Sequence, residues 1–289
     1  MKLRYIKIIL LTFFFLTVFF SCQKKGDSNL LLINDLPDSL SEISGITSFD
    51  GSPHLYAIND SGNEQVLYKI DSTGKTMQEY KVPNSVNIDW EDLAYDQKTL
   101  FIGDFGNNKN DRKDLSIYKV SNLDSENLDV RKVMFYLEDQ KKFPPGKKKR
   151  NFDIEAFIYR KGYFYLFTKN RSSKFDGTTK VYKVSATEGK QVARLVTSYA
   201  TCSDYHDCFI TGAAINNNGS KIALLTYNKV FILEKFKGDQ LFKGTISKLK
   251  LNHYSQKEGI CFKNDSTLYI VDEKRKGTNS RLYELSIPN

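Results

Sequence analysis

Histidine and cysteine are scarce in this chain: three histidines and four cysteines in 289 residues. No pair of cysteines is spaced as Cys-x-x-Cys, and no Cys/His set has the spacing of a zinc site, so sulfur- and imidazole-based metal chemistry is excluded at the outset. There is one tryptophan, Trp90. No apolar run reaches membrane-spanning length, the longest being the 13 residues 8–20. Sustained apolar periodicity of 3.6 residues is missing too, which predicts little helix. The formal net charge of +9 is modest for this length, and outside one Lys-rich stretch the two signs are close to balanced. That argues against a nucleic-acid-binding surface.

The apolar run sits in an export signal rather than in a folded element. Lys2, Arg4 and Lys7 precede it, and it ends at Ser21-Cys22, after which the chain turns abruptly polar with Gln23-Lys-Lys-Gly-Asp-Ser. A small residue before a cysteine at this point resembles a bacterial lipoprotein cleavage site, although Phe19 and Phe20 depart from the usual pattern. The expectation is a signal peptide over 1–21, a lipid-attached tether over 22–28 with the lipid on Cys22, and one domain over 29–289. That places the protein in the bacterial cell envelope, a membrane-anchored lipoprotein facing the periplasm or the cell surface. Ordinary secretion with an unmodified Cys22 is the alternative. Removing the three basic residues of the leader lowers the net charge from +9 to +6. In an oxidising compartment Cys202 and Cys208 either close a small disulfide ring around Ser-Asp-Tyr-His-Asp or remain two loop thiols, while Cys261, in an apolar strand, reads as a packing residue.

What the chain has in abundance is repetition. Glu42-Ile-Ser-Gly-Ile, Glu91-Asp-Leu-Ala, Glu155-Ala-Phe-Ile, Thr211-Gly-Ala-Ala-Ile and Glu258-Gly-Ile-Cys-Phe each open a short apolar strand, at successive spacings of 49, 64, 56 and 47 residues. A second register repeats in step: Leu67-Tyr-Lys-Ile, Ile117-Tyr-Lys-Val, Val181-Tyr-Lys-Val, Val230-Phe-Ile-Leu and Leu282-Tyr-Glu-Leu. Periods of this size belong to propeller blades, and each period holds four strand-like runs. The last period has only three, and Asn29-Leu-Leu-Leu-Ile-Asn-Asp supplies the fourth, closing the ring and removing an open edge. The sequence therefore predicts an all-β, five-bladed β-propeller of four-stranded antiparallel blades. Six blades, with one hidden between Glu91 and Glu155, is the alternative.

In such a ring the starts of first strands and the ends of second strands converge at one mouth. The convergent carboxylates expected to hold a metal are Glu42, Asp60, Asp89, Glu91, Asp104, Glu155 and Glu258, joined by Asp153, Asp272 and Glu273, with Lys169 and Arg171 as the main cations. Carboxylates crowded together repel unless protonated, paired or bridged by a cation, and an oxygen-only set suits Ca²⁺. Glu91, Glu155, Lys169 and Arg171 are the candidate catalytic residues. His54, His206 and His253 hold no consistent place in the repeat, so no nucleophilic triad is visible. The basic stretch at 141–150 overhangs the same mouth, as a solvated insertion or as a contact for an anionic ligand.

The blocks Glu42-Ile-Ser-Gly-Ile with Asn59-Asp-Ser-Gly, Asp89-Trp-Glu-Asp-Leu-Ala with Gly103-Asp-Phe-Gly-Asn-Asn, and Glu258-Gly-Ile with Asp272-Glu273 resemble the SdiA-regulated and phytase-like-esterase group of bacterial β-propellers. The resemblance, spread from about residue 38 to 287, implies a five-bladed propeller with a calcium site at Glu42, Glu91, Glu155 and Glu258, distantly similar to NHL-repeat propellers that include metal-dependent hydrolases. Thr211 departs from the acidic pattern. Two functions stand as expectations: a calcium-dependent hydrolase of an ester, lactone or phosphoester, or a non-catalytic module that binds a small anionic or envelope ligand or a protein.

Overall fold

The computed structural model describes residues 30–125 and 127–288, so the leader, Cys22 and the tether lie outside the described residues. Turn-forming Gly, Asn and Asp residues punctuate β-branched and aromatic runs, and the described residues form twenty strands and three short 3₁₀ turns. Among the described residues no helix is long and apolar enough to cross a membrane.

The strands pair as four-stranded antiparallel, blade-like units. The first is β2 (Ile43–Thr47), β3 (His54–Asn59), β4 (Val66–Asp71) and β5 (Thr76–Lys81). The second is β6 (Trp90–Asp96), β7 (Thr99–Asp104), β8 (Ser116–Ser121) and β9 (Asp129–Leu137). The third is β10 (Asp153–Arg160), β11 (Tyr163–Lys169), β12 (Thr178–Ser185) and β13 (Gly189–Ala200). The fourth is β14 (Gly212–Ile215), β15 (Lys221–Leu225), β16 (Lys229–Glu234) and β17 (Thr245–Lys250). In the last, β18 (Lys257–Asn264), β19 (Thr267–Asp272) and β20 (Arg281–Ser286) are completed by β1 (Leu30–Asp35), which pairs Leu30 with Leu285 and Asp35 with Arg281. The first strand of the domain thus finishes the sheet made by its last three. The fold is that of a β-propeller.

One feature departs from independent blades. The outer strand β13 is twelve residues long, and its two halves pair differently. Residues 194–200 complete their own sheet against β12, while residues 189–193 run parallel to β9 of the neighbouring sheet, Gly189 opposite Val133 and Ala193 opposite Leu137. This pairing fuses the second and third units into one eight-stranded sheet.

The inner strands adjoin in the order β2, β6, β10, β14, β18 and back to β2. Their faces bury apolar layers between successive sheets. Trp90 lies fully buried against Tyr118 in one layer, with ring centroids 6.1 Å apart, and Cys261 is buried in another, at 3 % exposure. At the axis the backbones come so close that small residues are required. A β-carbon on Gly45 would stand 2.9 Å from Asp92 Cα, and one on Gly259 would stand 3.0 Å from the Ile46 nitrogen. Asp92 occupies the same place in β6 and is the exception. Its buried carboxylate accepts the backbone N–H groups of Leu93 (2.8 Å), Phe157 (3.0 Å) and Ala213 (3.4 Å), linking three inner strands.

Two outcomes follow for denaturant unfolding. Asp92→Ala leaves those amides without their acceptor, and at about 1–3 kcal/mol for an unsatisfied buried group it lowers the midpoint clearly. Gly45→Ala meets backbone rather than a yielding side chain and costs about 1–3 kcal/mol. Wild-type midpoints in both variants would rule out this account of the axis.

Candidate functional site

The site is built by a repeated irregularity. In four of the inner strands the register with the second strand slips by one residue, between Ile43 and Gly45, Trp90 and Asp92, Ile154 and Ala156, and Lys257 and Gly259. The extra residues are Ser44, Glu91, Glu155 and Glu258. A bulge re-aims the side chain it carries, and all four of these line a cavity of about 270 Å³ at one mouth of the ring. β14 has no slip in its described pairing; Thr211, just before it, instead donates its hydroxyl to the Lys257 carbonyl at 2.6 Å.

Glu42 is therefore not the counterpart of Glu91. It stands two residues before the bulge, is exposed, and accepts a hydrogen bond from Asn63 at 2.8 Å without lining the cavity. Its place in the ring is taken by Ser44. Asp104 is also turned away from the cavity: it is fully buried, ion-paired with Arg112 at 3.0 Å, and accepts the Asp89 N–H at 3.2 Å. Side-chain alternation explains this, because the residue that opposes the pre-bulge position faces between sheets and the next one faces inward. That next position gives Asp60, Lys169, Tyr227 and Glu273, all of which line the cavity. Phe105, at the same position in the second unit, packs against Phe157 instead.

Six carboxylates line the cavity (Asp60, Asp89, Glu91, Glu155, Glu258 and Glu273) against three cations, Lys169, Arg171 and Arg275. The cations are unevenly placed. Glu155 receives Lys169 Nζ at 2.8 Å and Arg171 at 2.8 Å, and Arg171 also binds Asp153 at 2.6 Å. Burial opposes the charge on Glu155, but the two cations outweigh it and hold its pKa below the ordinary value. On the other side no ion pair forms among the described residues, and Lys169 near Glu258 and Arg275 near Glu273 offset burial only in part. Burial, with Glu273, Glu42 and Asp89 adding like charge, lifts Asp60 to about 7. Burial lifts Glu258 to about 8, and raises Glu91, Asp89 and Glu273 as well.

Two observations bear on whether a cation fits there. A β-carbon at Gly106 would collide with both Glu91 Oε1 and Asp89 Oδ2, so this glycine makes a cradle in which two carboxylates meet. Ser44 Oγ, at the edge of the same cavity, is buried and without a hydrogen-bond partner. Against these, among the described residues no three acidic, histidine or cysteine side chains already converge on one point, so the carboxylates surround the cavity rather than form a finished coordination shell. The oxygen-only donors of Asp89 and Glu91, with Asp60 on the same cavity wall, are of the kind that a hard, oxygen-preferring cation takes.

Cys202 and Cys208 are joined by a disulfide. Their loop carries His206, which is exposed, and Asp207, which pairs with Lys229. The basic stretch contacts the loop after β11, where Lys147 O accepts the Ser173 N–H at 3.0 Å, but none of residues 141–150 lines the cavity. The sequence reading passed over Ser44, Gln256 and Arg112. For Ser44 the usable signal was the glycine that follows the bulge, which aligns Ser44-Gly45 with Glu258-Gly259.

No protein-family model matches the sequence, and no curated protein matches it. Solved structures do. A PQQ-bound aldose sugar dehydrogenase from Streptomyces coelicolor is similar at a TM-score of 0.52 and 11 % identity, over 89 % of this chain and 97 % of that one. A structure described as glucose dehydrogenase is similar at 0.48 and 10 %, over 88 % of this chain and 99 % of that one. At this identity the first likeness shows the β-propeller fold and nothing finer.

Because Asp60 and Glu258 carry folded-state pKa values of about 7 and about 8, above their ordinary 3.8 and 4.5, the folded chain holds these protons more tightly than the unfolded one. Their stabilising contribution is full below about pH 4 and is lost as pH rises through 7 and 8. Glu155 has the opposite sign but acts only below its ordinary 4.5. Thermal melts of metal-free protein should therefore show the melting temperature falling from pH 5.5 to pH 8.5; a flat profile would contradict this charge balance. Lys169→Met strands Glu155 beside Arg171 alone and should cost about 3–5 kcal/mol, the usual loss on breaking a buried pair.

Proposed function

We propose that this chain is a five-bladed propeller, closed by β1, whose acidic cavity takes one calcium ion and serves hydrolysis of an ester, lactone or phosphoester. The observation that carries the reading is the uncompensated charge at Asp60, Asp89 and Glu91 over the Gly106 cradle. The closed order of the inner strands supports five blades, although the similar solved structures are six-bladed. The sequence blocks support kinship with the SdiA-regulated and phytase-like-esterase group. Attachment to the envelope through lipid on Cys22 completes the proposal and rests on the sequence alone.

Bound between those carboxylates, a divalent cation supplies Lewis-acid polarisation of a substrate oxygen. The remaining roles fall to side chains. Lys169 donates to Glu155 alone among side chains and has N–H groups left for an anionic oxygen. Glu258, lifted to about 8, is largely protonated at neutral pH and stands as the proton donor to a leaving group, with the Tyr227 hydroxyl 3.5 Å away. Glu155, tied by two cations, is a poor base. A second reading, a calcium-stabilised binding module without turnover, draws on that same fact.

Calorimetric titration and metal analysis of the mature chain test this directly. About one calcium per chain is expected, and at about 100 times Kd the ion adds ~2.7 kcal/mol. That corresponds to roughly 5–10 °C in melting temperature for a chain of this size. The gain should shrink at pH 5.5 and vanish in Glu91→Gln. Absence of binding at pH 8 overturns the calcium site, and calcium binding without turnover on ester, lactone and phosphoester panels favours the binding module.

A further inference from the structure

A group of aromatic rings leads outward from Tyr227, which lines the acidic cavity. The loop closed by the Cys202–Cys208 disulfide carries Tyr205, which meets Phe175 and Phe209 edge-on at centroid distances of 5.3 and 5.0 Å. The loop entering β18 carries Tyr254, which meets Tyr227 edge-on at 5.9 Å. The two loops are tied together, since the Tyr254 hydroxyl donates to the His206 carbonyl at 2.9 Å. Tyr227 lines the cavity itself, and Lys169 stands 5.8 Å from both the Phe209 and Tyr227 rings, so the group runs from the cavity outward. Despite this packing, Tyr205 is 51 % and Tyr254 57 % exposed.

Large aromatic side chains held in place by a covalent loop and by each other, yet half open to solvent, are the arrangement that binds a flat ring. Little conformational entropy is lost when a ligand lands on them, and stacking adds to area burial. The cavity beneath offers carboxylates and a phenol, which bind hydroxyl or ester oxygens.

We infer that Tyr205 and Tyr254 form a stacking platform that selects ligands bearing a flat ring next to their polar, oxygen-rich end. The inference deepens the proposed site by naming its ligand class, and it stands whether or not calcium binds. A flat ring of this kind is an aryl group; a pyranose, a puckered ring that stacks only through one C–H face, is the competing outcome, and the probes chosen separate the two.

Saturation-transfer NMR on the disulfide-intact mature chain, with phenyl acetate in one arm and methyl β-glucopyranoside in the other, reads the platform without requiring turnover. Transfer concentrated on ring protons is expected for at least one probe. It should fall at least fivefold in Tyr254→Ala and in Tyr205→Ala while calcium titration of those variants is unchanged. Tyr254→Phe should restore most of the transfer, since the ring and not the hydroxyl makes the platform. Transfer from the aryl probe alone assigns an aryl ligand, and from the pyranoside alone a sugar. No transfer from either, or equal transfer in wild type and both alanine variants, overturns the platform. Loss of calcium binding with ring transfer intact would instead remove only the cation site.

Discussion

Inner strands that meet around one axis must bring their free edges together without leaving buried amides unpaired. This molecule solves both parts of the problem at one layer. Gly45 and Gly259 let backbones approach to contact, and the space so gained admits a single carboxylate, Asp92, that accepts amides from three strands. Everything above that layer depends on it. The residue before each of these small positions is the bulged one, so the tight packing at the axis and the inward aim of Ser44, Glu91, Glu155 and Glu258 are consequences of one local geometry.

The acidic cavity is thus a place where the fold concentrates charge it does not neutralise. On the side of Lys169 and Arg171 the carboxylates are held as ion pairs, a rigid and satisfied arrangement. On the side of Asp60, Asp89 and Glu91 three carboxylates form no ion pair among the described residues. A folded protein tolerates that imbalance by taking up protons or a cation. The asymmetry gives the cavity a direction, with one pole suited to positive charge and the other to negative.

Much of this was legible in the residues. The strand repeat, the outer strand supplied by β1, and the burial of Cys261 follow from patterns of period two and from which period lacked a strand. The errors came from matching residue type instead of register. Glu42 was aligned with Glu91 because both are glutamates, whereas hydrogen-bond register aligns Ser44, and a serine carries no acidic signal. Asp104 looked equivalent to Asp60, but one position separates a side chain facing between sheets from one facing the axis. The β9–β13 join depends on contacts between residues more than fifty positions apart, which no local pattern encodes.

The pairing of β1 with β20 has a further consequence, for biosynthesis. Leu30 and Leu285 lie at opposite ends of the sequence, so the contact between them closes a loop of nearly the whole chain. A chain that emerges N-terminus first, from a ribosome or through a membrane pore, exposes β1 long before its partner exists. Until then the strand is an unpaired edge with Leu30 and Ile33 uncovered, the kind of segment that recruits chaperones or aggregates. Completion of the ring therefore waits for β20, and a chain cut before Arg281–Ser286 cannot finish folding, however well its other sheets form.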